Sequence, residues 1–239
     1  MSTWSQEYYR SILSGQARRY YSYILSGLSN MKEYITIPRP MADMDAISDA
    51  FNAVNMDHPE LFWVDGYSGY RCISGPVMSG LQVNNFYARD EIVRWKAETE
   101  SWRYRICSQI PPSADEYKRI WMIYDYLARQ VEYGHSEAKY SQTIIGCMKR
   151  GFHHSVCEGI AKSFKYLCDY EGINSIVIFG EMDTGMGYRG HAWNLVECNR
   201  HIYHVDATAA LQEAKFYGKA ETKGFLKSTA EMKDYIWDL

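Results

Sequence analysis

The stretch His154-Ser155-Val156-Cys157-Glu158-Gly159-Ile160-Ala161-Lys162-Ser163-Phe164 places a cysteine where a helical pattern begins. Ile160, Phe164 and Leu167 recur at steps of three and four, marking one apolar helix face. Tyr170-Glu171-Gly172 closes the pattern, because glycine takes the left-handed C-terminal conformation without a Cβ penalty. His191 follows 34 positions after Cys157, in Gly190-His191-Ala192-Trp193-Asn194, and Asp206 follows 15 positions after His191, in Tyr203-His204-Val205-Asp206-Ala207-Thr208. A thiol, an imidazole and a carboxylate are the parts of a nucleophile, its base and the group that orients the base.

The positive end of a helix dipole and its unsatisfied N–H groups favour thiolate over thiol at Cys157, and an adjacent imidazolium favours it further. The Cys157 N–H can also hold an oxyanion. Cys72, Cys107, Cys147, Cys168 and Cys198 read as small apolar residues, the usual fate of a free cysteine. Three strand patterns follow the helix, at Ser175 to Gly180, His191 to Glu197 and His201 to Asp206. The last two flank Cys198-Asn199-Arg200 and read as an antiparallel hairpin. A two-residue turn at Asn199-Arg200 pairs Trp193 with Asp206 and leaves His191 diagonal to the carboxylate; a register two residues tighter pairs His191 with Asp206 directly. Both put imidazole and carboxylate on one face, and a one-residue slip would part them.

Working outward, the segment from Tyr9 through Leu13, Ala17, Tyr21, Ile24 and Leu28 to Met31 predicts one amphipathic helix, stopped by Ile37-Pro38-Arg39-Pro40. A shorter helix is expected over Asp43 to Asn55. A turn over Asp65 to Gly69 then leads to strands at Tyr70 to Ile73 and Gly80 to Ala88. Long helical patterns cover Arg89 to Ser108 and Ser113 to Val131, with Ser113 and Glu116 forming a capping box after Pro111-Pro112. A short helical pattern passes through Ile144, Ile145 and Met148. Beyond Ala209 periodicity is weak.

The 239 residues carry a net charge of only −3 and no block of like charges, which gives no support for nucleic-acid binding through a basic face. No run approaches the roughly 20 apolar residues of a membrane-spanning helix, so no membrane association is expected. Met1-Ser2-Thr3-Trp4-Ser5-Gln6-Glu7 has no basic start followed by an apolar stretch. The expected location is therefore cytoplasmic, with the six cysteines as thiols; the alternative is a secreted protein whose leader was removed, in which an even count of cysteines could form bridges. His153, His154, Cys157, His191 and His204 include enough ligand types for zinc, but adjacent histidines point apart and no Cys-x-x-Cys spacing is present. No metal and no cofactor is expected.

The motifs Val156-Cys157-Glu158-Gly159-Ile160-Ala161-Lys162-Ser163-Phe164, Gly190-His191-Ala192-Trp193-Asn194-Leu195-Val196 and Tyr203-His204-Val205-Asp206-Ala207-Thr208 together resemble the transglutaminase-like superfamily, in its bacterial cysteine-peptidase-like branch. The resemblance is strong over residues 113 to 210. It implies an α+β fold: a papain-like, transglutaminase-like core over 113–239 whose catalytic cysteine lies on a helix packed against an antiparallel sheet. Residues 1–112 would form a mainly helical N-terminal extension with a small β-meander.

It also implies Cys157 as nucleophile, His191 as general base and acid, and Asp206 as the orienting group. Trp193 and Asn194 would shape or brace the site. Gln142, 15 residues before Cys157, is the candidate side-chain amide for a second oxyanion donor. The expected activity is cysteine-dependent hydrolysis or acyl transfer on amide bonds of a peptide or protein substrate, through an acyl-thioester. Hydrolysis is favoured over cross-linking, and the alternative is a non-catalytic peptide- or protein-binding module of the same fold.

Overall fold

The computed structural model describes residues 5–38, 44–72, 78–134, 138–148 and 154–238, with side chains omitted at 38, 68–72, 78–79 and 212–213. The chain forms two compact units, Glu7–Arg94 and Trp95–Leu239, the latter joined by the segment up to Gln6.

In the first unit the single helix expected from Tyr9 to Met31 is two helices, α1 (Tyr8–Ile12) and α2 (Gly15–Ser29). Ser14 makes the break: its hydroxyl accepts from the Ala17 N–H at 3.3 Å, so it caps a new helix rather than continuing the old one. Strand β1 (Tyr34–Pro38) follows, then α3 (Met44–Asp57), β2 (Val64–Cys72) and β3 (Met78–Asn85). The expected turn over Asp65 to Gly69 is instead the interior of β2, which takes two register irregularities against β3. The sheet is antiparallel in the order β1-β3-β2. Its core gathers Tyr21, Ile24, Leu28, Ile37, Ile47, Ala50, Val54 and Leu81. The buried Asp57 carboxylate accepts from the N–H groups of Tyr9 and Arg10 at 3.0 and 2.9 Å and from the Tyr21 hydroxyl at 3.0 Å, tying α1 to the end of α3. Ile73 lies outside the described residues.

Helix α4 (Arg89–Cys107) carries the chain into the second unit, followed by α5 (Glu116–Gln130). Asp115, not Ser113, caps α5: its carboxylate accepts from the Lys118 N–H at 2.8 Å. A carboxylate adds favourable charge at the positive helix end, which a serine hydroxyl lacks. Ile120, Ile123, Tyr124, Leu127 and Ala128 form its buried face. Next come β4 (Glu132–Tyr133), a 3-10 turn at Lys139–Gln142, α6 (Ile144–Met148) and β5 (His154–Ser155), which pairs in parallel with β4.

Helix α7 (Cys157–Tyr170) is the centre of this unit. Beyond it run β6 (Ser175–Asp183), β7 (Tyr188–Cys198), β8 (His201–Val205), a 3-10 turn at Ala207–Ala210, α8 (Leu211–Tyr217) and β9 (Tyr235–Trp237). The second sheet is antiparallel in the order β8-β7-β6-β9. The fold is thus a mixture of helices and mainly antiparallel sheet. Strands β1 and β9 have no counterpart in the sequence reading. β1 contains a proline, and β9 is three residues long, too short to show a period.

The cores of α7 and the sheet meet through Ala161, Val177 and Ala192. Asn194 secures the junction, donating from Nδ2 to the Ala161 carbonyl of α7 at 2.9 Å and to the Ile176 carbonyl of β6 at 3.2 Å. One turn further along α7, Lys165 is wholly buried. Its ammonium donates to both Asp169 oxygens, to the Ser175 carbonyl and to the Gln6 carbonyl, so the buried charge is paired and solvated by fixed dipoles.

Candidate active site

The site assembles where α7 begins and the β7–β8 hairpin ends. Cys157 is the first residue of α7, after Val156 as its N-cap. The approach to it is clamped: Val156 N–H and the Ser155 hydroxyl both donate to the Ser141 carbonyl, at 3.1 and 2.7 Å. Gly159 lies against this clamp, where any Cβ would run into the Ser141 carbonyl and the Ser155 hydroxyl. Glycine is therefore the residue that lets the helix start so close to the strand behind it.

The hairpin takes the two-residue turn. Cys198 pairs with His201 and Asn194 with Val205, and Asn199 and Arg200 have φ of 51° and 66°. Two positive φ values in a two-residue loop match the right-handed twist of the flanking strands. This register leaves His191 diagonal to Asp206. The Nε2 of His191 lies 2.8 Å from Oδ2 of Asp206, so Nδ1 is the nitrogen left to face Cys157. The Cys157 thiol is the other group that acts on the His191 ring, which places the imidazole between thiol and carboxylate.

β8 leaves the sheet at Val205, and its pairing with β7 stops at Asn194. The β7 edge beyond that point is free to serve the site. There the Ala192 N–H helps to hold the Cys157 thiol down. Burial pushes the Cys157 thiol up, but the His191 hydrogen bond and charge, the Ala192 N–H and the Tyr133 hydroxyl outweigh it, and the net shift is downward. Burial likewise lowers His191, yet its bonds to Asp206 and Cys157 and their charges push it up to about 10. A thiolate–imidazolium pair is what these opposite shifts describe. Cys107, Cys147, Cys168 and Cys198 are all shifted upward, burial leading in each case.

Asp206 is buried and fully engaged. Oδ1 accepts from the N–H groups of Thr208 and Ala209 at 3.0 and 3.4 Å, capping the 3-10 turn, while Oδ2 also accepts from the Tyr235 hydroxyl at 2.8 Å. Tyr235 comes from β9, which pairs with β6. Its hydroxyl is pushed up by burial and by the Asp206 charge and stays a donor.

Trp193 lies behind His191, its ring stacked at 5.9 Å and 18°, within the range of a cation–π contact with a protonated imidazole. Its Nε1–H donates to Nδ1 of His204 at 3.0 Å, which fixes the His204 tautomer, and burial holds His204 down to about 4. Tyr235 and Trp237 meet the Trp193 ring edge to face. Trp193 therefore touches the site, whereas Asn194 points to the opposite face and braces α7.

Gln142, the candidate second donor, is not among the groups acting on the thiol in the structure. It is exposed at the end of its 3-10 turn, because the neighbouring Ser141 and Thr143 take the inward positions. The hydroxyl in contact with Cys157 belongs to Tyr133, on β4. No motif marks Tyr133 in the sequence; only the pairing of β4 with β5 brings it near. Tyr133 and His191 line a cleft of about 380 Å³ together with Met182, Thr208, Ala209, Leu211 and Lys223. Of the histidines weighed as metal ligands, His153 lies outside the described residues. His154 faces Glu132 at 3.9 Å, and His204 belongs to the aromatic layer. No helix among the described residues is long and apolar enough to cross a membrane.

No protein-family model and no curated protein sequence matches the chain. Among solved structures it is similar to a TGase, with 10% identity and a TM-score of 0.42 over 59% of this chain and 43% of that one. The chain thus spans less than half the length of that protein. It is also similar to a candidate cysteine protease from Cytophaga hutchinsonii, with 12% identity and a TM-score of 0.38 over 72% of this chain and 74% of that one.

Proposed function

We propose that the protein is a transglutaminase-like cysteine hydrolase or acyltransferase that acts on amide bonds of peptides or proteins, with water as the favoured acyl acceptor. The observation that supports this reading is the run of contacts from Cys157 through His191 to Asp206, at the one described cysteine shifted toward thiolate. In this reading the Cys157 thiolate attacks the carbonyl carbon, and the carbonyl π pair moves onto oxygen. His191, already an imidazolium, gives its Nδ1 proton to the leaving amine as the C–N bond breaks and the thioester forms. Neutral His191 then takes a proton from the incoming water, whose attack on the thioester releases the acid and restores the thiolate. Asp206 holds the ring in place and stabilises its positive form throughout. The cleft beside His191 carries both polar and apolar groups, which suits entry of water next to a bound chain.

The test is mass spectrometry of a peptide library incubated with the wild type and with Cys157→Ala. Products that are cleaved, deamidated or cross-linked should appear with the wild type alone, and their class identifies the acceptor. Identical products at equal rates from Cys157→Ala would overturn the reading.

A further inference from the structure

The oxygen that develops charge when Cys157 attacks needs two donors to be well held, and a helix start supplies one, the Cys157 N–H. In the structure the Tyr133 hydroxyl acts on the Cys157 thiol and neighbours the Cys157 backbone. The Tyr133 oxygen thus sits beside both the nucleophile and the donor that an oxyanion would use. Tyr133 is 57% exposed and lines the same cleft as His191, so an entering carbonyl meets it. Its position is set by backbone. Tyr133 pairs with Ser155 in the β4–β5 ladder, the Gly134 N–H donates to the Ser155 carbonyl at 3.1 Å, and Cys157 is two residues further on.

We propose that the Tyr133 hydroxyl is the second oxyanion donor of this site, acting together with the backbone N–H of Cys157. In the resting protein the hydroxyl hydrogen points at the sulfur, where the negative charge is. As the S–C bond forms, that charge moves through the carbonyl onto oxygen, and the hydroxyl hydrogen follows it by rotating about the C–O bond. The carbonyl oxygen is then held between this hydroxyl and the Cys157 N–H. No proton leaves Tyr133; on collapse the C=O bond re-forms, the C–N bond breaks and the His191 proton departs with the amine. The phenol stays protonated, since burial and the neighbouring Cys157 charge both push it upward.

The proposal rests on Cys157 being the acylated nucleophile, and two reactions of the same thiol separate the claims. Acylation by p-nitrophenyl acetate, read as the nitrophenolate burst, passes through an oxyanion; alkylation by iodoacetamide at pH 6 does not. Tyr133→Phe removes one oxygen from an exposed ring, and its fold is checked by its Tm. The expected result is a burst rate about 100-fold below wild type, as for loss of one oxyanion donor, with alkylation of Cys157 within threefold. A burst rate within threefold of wild type, a faster burst, or equal losses in both reactions would overturn the role of Tyr133. A burst that survives Cys157→Ala would instead overturn the reading of Cys157 itself.

Discussion

Nε2 of His191 stands 2.8 Å from Oδ2 of Asp206, and that contact settles which ring nitrogen faces the thiol. Asp206→Asn keeps the shape of the partner and removes its charge. In the wild type, kcat/KM should rise as Cys157 loses its proton below the ordinary thiol range and fall as His191 loses its own near pH 10. The sign follows from the raised His191 value: the imidazolium survives up to that pH and is lost above it. In Asp206→Asn the alkaline limb should move to lower pH, with kcat/KM down about 10²- to 10⁴-fold. A pH–rate profile from pH 5 to 11 checks both, and an unmoved alkaline limb would separate Asp206 from the reaction.

Iodoacetamide at pH 6 should label Cys157 well ahead of Cys107, Cys147, Cys168 and Cys198, whose thiols burial holds protonated. His191→Gln should slow labelling of Cys157 at least about tenfold and leave the other four unchanged, because the imidazolium is the main group favouring the thiolate. Peptide mapping of timed samples reads this directly. Equal rates for all five thiols would contradict the thiolate–imidazolium pair.

Gly159→Ala should destabilise the protein by about 1–3 kcal/mol or more, since its Cβ meets a backbone carbonyl that can move only by shifting the start of α7. Gly190→Ala is the matched control beside His191: its Cβ would meet no atom within 4 Å, and its cost should stay within about 0.5 kcal/mol. Urea unfolding at pH 7 measures both. Equal stability of the two variants would show that the close approach at Gly159 is not needed.

His204 should make the protein sensitive to mild acid. Folded His204 is held down to about 4 while the unfolded side chain titrates near 6.5, so between these values the unfolded state binds the extra proton. Stability should therefore fall as pH drops through this window, by at most about 1.4 kcal/mol per unit from this group. His204→Gln should flatten the slope between pH 6.5 and 4.5 in urea titrations, although it will cost stability by disturbing the Trp193 Nε1 bond. An unchanged slope would move the acid sensitivity to another group.

Much of the site was legible because it is built from local periodicity. The helix after Cys157 shows its apolar face in Ile160, Phe164 and Leu167. The parity of His191 and Asp206 along two strands placed them on one face before the turn was known. Two registers share that parity, and the positive φ of Asn199 and Arg200 selects the two-residue turn. Ser113 was the cap expected from residue type, and the hydrogen bond from the Lys118 N–H gives that place to Asp115.

The residues that sequence reading missed are those brought in across the fold. Tyr133 reaches Cys157 through a two-residue parallel ladder, and Tyr235 reaches Asp206 from a three-residue strand at the sheet edge. Gln142, a suitable side chain by type, is exposed at the end of its 3-10 turn. The sequence by itself determined the order thiol, imidazole, carboxylate and the periodic elements that carry them, because periodicity is a property of neighbours along the chain. Which hydroxyls and N–H groups surround that line was decided only by tertiary structure, because strand pairing and helix docking join residues whose spacing in the chain carries no signal.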